Sequence, residues 1–136
     1  MRQILTAGAL LLTVACGGSP SSPSSAAPAA STPVVFSGTV AAFGESMVNL
    51  SLSRGGQMTL RVTWSDPTVD IDVHLLPSNC NSAYAAGCGA LASSNASTGT
   101  SETILFTVRA SDFYKVSIDN LNRTKPQPWT LSFTVQ

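Results

Sequence analysis

The sequence has 136 residues, of which 10% are charged, and its seven basic and seven acidic residues balance to a net charge of zero. This length allows one domain of ordinary size, and the neutral balance lacks the basic surface that nucleic-acid binding requires. Serine and threonine together occupy 34 positions, so we expect a surface solvated by hydroxyl groups more than by ion pairs.

The N-terminus has the features of an export signal. Arg2 supplies a positive charge, residues 4–15 are mostly apolar, and Cys16 follows the small residue Ala15. The apolar run is shorter than the roughly 20 residues of a membrane-spanning helix, which predicts a signal peptide over residues 1–15. The sequence LTVAC at 12–16 resembles the lipobox of bacterial lipoproteins, which implies that Cys16 carries lipid. The alternative is an ordinary signal peptide with a chance cysteine.

A lipid on Cys16 would anchor the protein without spanning the membrane, because each buried CH₂ contributes about 0.8 kcal/mol and more than one acyl chain gives stable binding. The same resemblance implies the outer membrane, since Gly17 stands where aspartate signals retention at the inner membrane. Residues 17–33 contain only Gly, Ser, Pro, Ala and Thr. Such a segment has no apolar surface to bury, so residues 16–33 are predicted to form a lipidated, disordered tether.

Residues 34–136 are predicted to be the folded domain, because they show the two-residue alternation of β-strands. In 58–76 the alternation continues on both sides of an Asp66-Pro67 turn, whereas a helical period would place Asp70 and His74 in the apolar stripe. The predicted strands are 34–41, 46–53, 57–65, 69–76, 90–94, 102–109, 113–119 and 129–135. Without helices between them, they predict an all-β fold, an antiparallel, jelly-roll-like β-sandwich of seven or eight strands.

Strand parity also predicts the core. The inward set comprises Met58, Leu60, Val62, Trp64, Val69, Ile71, Val73, Leu75, Ile104, Phe106, Val108, Tyr114, Val116, Ile118, Trp129, Leu131, Phe133 and Val135. Trp129 and Tyr114 could instead form a platform that stacks on sugars. Each is in phase with the apolar residues of its strand, which favours the core.

Several motifs occur in a fixed order along the domain. They are WSDPTVDIDVHLL at 64–76, a cysteine-bearing loop, SETI at 101–104, YKVSIDN at 114–120 and WTLSFTV at 129–135. This order resembles the bacterial pre-peptidase C-terminal domain. The resemblance implies a β-sandwich that is appended to exported enzymes or stands alone in lipoproteins, and that in some members binds protein fibres or calcium.

Cys80 and Cys88 remain as an even pair once Cys16 is assigned to lipid. In an exported protein such a pair predicts a disulfide, and here it would close the short loop NSAYAAG. The alternative is a metal site, but one histidine and two cysteines at this spacing match no zinc pattern.

Asp66, Asp70 and Asp72 form an acidic corner around the turn. Carboxylates this close repel unless a cation neutralises them, and calcium would suit the corner because it accepts six to eight oxygen ligands in flexible geometry. The alternative is an ordinary Asp-Pro turn whose charges are screened by solvent. No motif in the sequence requires another cofactor.

His74 is the single histidine, and its parity predicts a solvated position on the outer face beside Asp72. A small sandwich with short loops offers no obvious substrate cleft. We therefore predict a non-catalytic binding or scaffolding module of a cell-envelope lipoprotein, with a protein or polysaccharide as ligand. The alternatives are a small periplasmic hydrolase or a protease-associated accessory or inhibitor domain that uses His74 and nearby carboxylates, and a structural spacer.

Overall fold

The computed structural model describes residues 31–136. The predicted signal peptide, Cys16 and most of the tether lie outside the described residues. The strands are β1 (Val34–Val40), β2 (Glu45–Ser51), β3 (Gly56–Trp64), β4 (Ile71–Pro77), β5 (Ala92–Ser94), β6 (Ser101–Val108), β7 (Phe113–Asn120) and β8 (Gln127–Val135). All eight predicted strands are confirmed, with ends that differ by about two residues at most.

The strands form two antiparallel sheets, which confirms the predicted β-sandwich. One sheet has the order β1-β8-β3-β6 and the other the order β2-β7-β4-β5. Consecutive strands β3 and β4 therefore lie in different sheets, and the Asp66-Pro67 turn carries the chain from one sheet to the other. No helix in the described part of the chain is long and apolar enough to cross a membrane.

The core between the sheets follows the predicted parity closely. All of the predicted inward residues are buried except Phe106, which is partly buried against the core. Tyr114 and Trp129 are 7% and 6% exposed, so they are core residues rather than a sugar platform. Gly38 makes room for the indole, because a Cβ there would lie 2.6 Å from the Trp129 ring. The first two strands and the residue that follows β2 add core residues that parity did not assign: Val40, Val48, Leu50 and Leu52.

The outer face of the β2-β7-β4-β5 sheet is partly covered by the segment 78–91, which connects β4 to β5. The predicted disulfide between Cys80 and Cys88 is confirmed within this segment, with a Cα–Cα distance of 5.6 Å. We call residues 80–88 the disulfide loop. Because the loop excludes water, Leu76 and Ser117 are fully buried although they point away from the core.

The sandwich core is closed by side chains from residues 40–135. All eight strands pair within the described part of the chain. These residues therefore have the hydrophobic core of an independent domain, and we expect residues 31–136 to fold by themselves.

Candidate functional site

A row of three carboxylates crosses the outer face of the β2-β7-β4-β5 sheet. Asp119 on β7 pairs with Glu45 on β2 and with Asp72 on β4. Side chains of directly opposed residues lie roughly 5 Å apart at Cβ, where like charges destabilise a sheet. Asp119 occupies the middle of the row and is 2% exposed. This arrangement has to be relieved by a proton or by a cation.

The Ser117 hydroxyl lies between two of the three carboxylates. Its Oγ lies 2.6 Å from Glu45 Oε1 and 2.9 and 3.0 Å from the two oxygens of Asp119. A hydroxyl has a single proton to donate, so Ser117 can satisfy only one of the two carboxylates at a time, Glu45 or Asp119.

The pKa values of the two carboxyls are shifted in opposite directions. Burial raises the pKa of Asp119 to about 7, helped by the charges of Glu45 and Asp72 and opposed by the Ser117 hydroxyl. Burial also acts to raise the pKa of Glu45, but hydrogen bonds from Ser117 and the Ala83 amide outweigh it and leave that pKa lowered. At neutral pH the row therefore carries an ionised Glu45 beside an Asp119 that is close to half-protonated.

His74 lies next to this row, and the prediction of a solvated side chain is wrong. The side chain is 15% exposed, with Nε2 3.3 Å from Asp119 Oδ2, although the two atoms lack hydrogen-bond alignment. Its Nδ1 lies 2.8 Å from Ser93 Oγ. The ring of Tyr84 meets the imidazole edge-on at 6.1 Å between centroids. The disulfide loop positions Tyr84 there, which explains the loss of solvent.

A groove of about 400 Å³ opens beside Asp119. It is lined by Phe43, Gly44, Glu45, Tyr84, Asp119, Asn120 and Leu121. Its mouth is apolar, because the side chains of Phe43, Tyr84 and Leu121 are 65%, 67% and 39% exposed. The two carboxylates contribute polar groups to this largely apolar wall. The expectation that short loops leave no cleft is therefore wrong, since the β1–β2 turn and the disulfide loop build one.

The groove wall is held in place by backbone hydrogen bonds. Phe43 has a left-handed φ of 49°, which is uncommon for an aromatic residue, and its N–H donates to Asn122 O at 2.8 Å. The buried Asn120 amide donates to Ala41 O at 3.1 Å and to Lys125 O at 2.7 Å. These bonds fasten the turn to the segment after β7, so the groove is preformed.

The three aspartates of the acidic corner have different partners in the structure. Asp66 pairs with Lys125 at 3.0 Å, and hydrogen bonds from the Thr68 side chain and backbone and from Lys125 lower the pKa of Asp66 to about 2. Asp72 joins the carboxylate row instead, where burial and then the charge of Asp70 raise its pKa. Within the described range, no group of three or more His, Cys, Asp or Glu side chains is placed to hold a metal ion. Calcium at the corner stays a prediction, which melting curves with and without calcium would test.

Most residues of the groove were not singled out by the sequence pattern. Strand parity places Ser117 and Asp119 on the outer face, and nothing in the sequence shows that a loop covers them. One signal was available: an uncharged serine and an aspartate occupy the outward positions of the apolar stretch VSID in β7. The register that brings Glu45 opposite Asp119 depends on the sheet order.

No family model matches the sequence, and no curated protein matches it. Several solved structures are similar in fold. A mitogen from Yersinia pseudotuberculosis matches with a TM-score of 0.56 and 16% identity over 77% of this chain and 86% of that chain. The Aeromonas hydrophila protein PliG, a periplasmic lysozyme inhibitor of g-type lysozyme, matches with a TM-score of 0.55 and 14% identity over 81% and 90%.

The third similar structure is the pre-peptidase C-terminal domain of a collagenase from Bacillus anthracis. It matches with a TM-score of 0.52 and 11% identity over 74% of this chain and 88% of that chain. Identities this low support a shared fold and nothing more specific. The described domain therefore has a β fold like that of the pre-peptidase C-terminal domain, as the order of its motifs predicts.

Proposed function

We propose that residues 34–136 form a non-catalytic, protein-binding module of an exported bacterial protein, and that the partner docks over the groove. The observation that carries the proposal is the exposure of Phe43, Tyr84 and Leu121 around one preformed opening. Exposed aromatic side chains around a concave site are typical of interface anchors. The fold likeness to an inhibitor of a protein enzyme supports a protein partner over a polysaccharide.

Export and anchoring form the second part of the proposal. The Cys80–Cys88 disulfide is stable in an oxidising compartment, and the lipobox-like segment supports a lipid on Cys16, in the outer membrane. The tether would then hold the module away from the membrane surface. The fold likeness to a periplasmic lysozyme inhibitor is in keeping with an inhibitor-like role.

The experiment is capture of exported proteins on immobilised residues 31–136, with purified g-type lysozyme as a separate probe. We expect a specific partner whose binding weakens about tenfold or more in Phe43→Ser, because truncating a central anchor typically costs over 1 kcal/mol. Leu105→Ser is the matched control, since Leu105 is 64% exposed on the opposite sheet. Absence of any captured protein, or equal effects of the two substitutions, would contradict the proposal.

One contact favours a second candidate function, a serine hydrolase. Ser93, His74 and Asp119 lie in a chain of close approaches, as in a Ser-His-Asp triad. Ser93 contacts Nδ1, whereas the nucleophile of serine proteases contacts Nε2, and Asp119 is not aligned to orient the ring. Labelling by a fluorophosphonate probe that Ser93→Ala abolishes would support this function. An unlabelled wild-type protein would contradict it.

A further inference from the structure

We propose that the groove receives a lysine or arginine side chain of the partner protein, with the exposed Glu45 carboxylate binding its charged group and the buried Asp119 beside it adding negative charge. This inference rests on the proposed function, because it names the chemistry that the docking surface recognises. It is drawn from the charge, the shape and the apolar walls of the groove.

Charge complementarity selects a cation. Glu45 and Asp119 line the groove, and they are held together by contacts to the same Ser117 hydroxyl. Asp72 adds a third carboxyl to the row through its pairing with Asp119. Their mutual repulsion makes the site receptive to a positive group, because a cation stabilises all three ionised forms.

Shape and apolarity select a side chain with a long stem. Lysine and arginine lay their methylene groups along apolar surface while the charged head reaches a polar site. Phe43, Tyr84 and Leu121 provide that surface, and a volume of about 400 Å³ is within the range of small-ligand sites. The Arg123 guanidinium already lies 5.1 Å from the centroid of the Phe43 ring, which shows that this ring can stack on such a group.

The carboxylate row links binding to proton release. The titratable groups that face Asp119 are Glu45 on β2, Asp72 and His74 on β4, and Tyr84 on the disulfide loop. A bound cation favours the ionised form of Asp119, whose pKa is raised to about 7. Affinity should therefore increase with pH towards 7 and level off above it, by up to about tenfold per pH unit if one proton is released.

The test is an amide NMR titration of residues 31–136 with Nα-acetyl-arginine amide, and with the uncharged Nα-acetyl-citrulline amide as the matched control ligand. We expect saturable shifts of the Gly44, Glu45 and Leu121 amides with the arginine compound at roughly millimolar concentration. The citrulline compound should give little or no shift. Equal responses to both compounds, shifts confined to other surfaces, or no saturable shift would overturn the inference.

Two substitutions test the carboxylates separately. Glu45→Gln and Asp119→Asn should each weaken arginine binding by about tenfold or more, and Asp119→Asn should also remove the increase with pH. Asp119→Asn mimics the protonated form of the side chain, so we expect it to fold. Leu105→Ser should bind like the wild type. Wild-type affinity in both carboxylate variants would overturn the inference.

The outcomes separate this inference from the proposed function. A captured partner whose binding is unchanged in Glu45→Gln and Asp119→Asn would overturn the side-chain inference and leave the protein-binding module standing. Arginine-specific shifts without any captured protein would support the cation site and contradict the proposed protein partner.

Discussion

Asp119 lies opposite two other carboxyl residues in a position that is almost without solvent. Because burial disfavours the charged form, the side chain keeps its proton to a far higher pH than an exposed aspartate does. The raised pKa thus follows from the sheet register and the loop above it. It also makes Asp119 the residue through which pH acts on the groove.

The first prediction concerns this titration. The pKa of Asp119 is raised from 3.8 to about 7 on folding. The protonated side chain therefore stabilises the folded protein fully below pH 4, and this stabilisation is lost as the pH increases through 7. The unfolding free energy of Asp119→Asn, taken relative to that of the wild type, should therefore increase by about 1 to 3 kcal/mol between pH 4 and 8, allowing for residual screening. Denaturant unfolding at both pH values measures the difference. A difference between variant and wild type that does not change with pH would contradict the assignment.

Most of the core could be predicted residue by residue, and the site could not. Alternation along a strand determines which side chains share a face. This pattern alone is sufficient to assign Leu60 and Val116 to the core. The burial of Asp119 depends on a loop that is distant in sequence and that covers the outer face. The wrong prediction of a solvated His74 has the same cause. Strand parity shows which face of the sheet a side chain points to, but it does not show whether a loop covers that face.

Strands β3 and β4 show what the two-residue alternation determines and what it leaves open. Both strands were predicted, and both are present. The turn at Asp66-Pro67 has the same sequence signature whether it joins neighbouring strands or strands of opposite sheets. Only the complete pairing pattern, in which β3 pairs with β6 and β8, distinguishes the two arrangements.

The second prediction tests the end of β3. Trp64 is 7% exposed, and its indole N–H donates to Val69 O at 3.0 Å, so it fixes the turn between the sheets as well as filling the core. Trp64→Ala should cost about 3 to 5 kcal/mol of unfolding free energy. Thr63→Ala, on the opposite face, should cost less than about 1 kcal/mol. Equal shifts in the denaturation midpoint would show that the strand parity is wrong.

The third prediction concerns the disulfide loop as a cover. The Ala83 amide donates to Glu45 at 2.8 Å, so the loop is attached to the carboxylate row as well as closed by Cys80 and Cys88. Replacing both cysteines, Cys80→Ser with Cys88→Ser, should cost about 2 to 3 kcal/mol. It should also lower the pKa of Asp119 towards 3.8, because water regains access.

Carboxyl NMR titration of Asp119 measures this effect, and the reduced wild-type protein should behave like the double variant. An unchanged pKa after the loop is opened would contradict a covering role. A lower stability with the same pKa would mean that the disulfide acts only on the unfolded chain.

The proposed protein consists of a membrane anchor, a tether and a docking module. The fourth prediction tests the anchor: Cys16→Ala should abolish incorporation of labelled palmitate and release the protein from the membrane fraction, because the apolar run at 4–15 is too short to span. Labelling that persists in the variant would contradict lipid attachment at Cys16. The export signal itself would still be tested by whether the Cys80–Cys88 disulfide forms.

The fifth prediction addresses the claim that a partner protein binds over the groove. In the chain of residues 1–136 expressed in a bacterial envelope, Phe43 is replaced by the photo-crosslinking residue benzoylphenylalanine, and in a parallel chain Leu105 is replaced in the same way. Both side chains are similarly exposed, at 65% and 64%, and they lie on different sheets. We predict a discrete crosslinked protein adduct from position 43 and none from position 105 on irradiation. Adducts from position 105 alone, equal adducts from both positions, or no adduct from position 43 would contradict the claim.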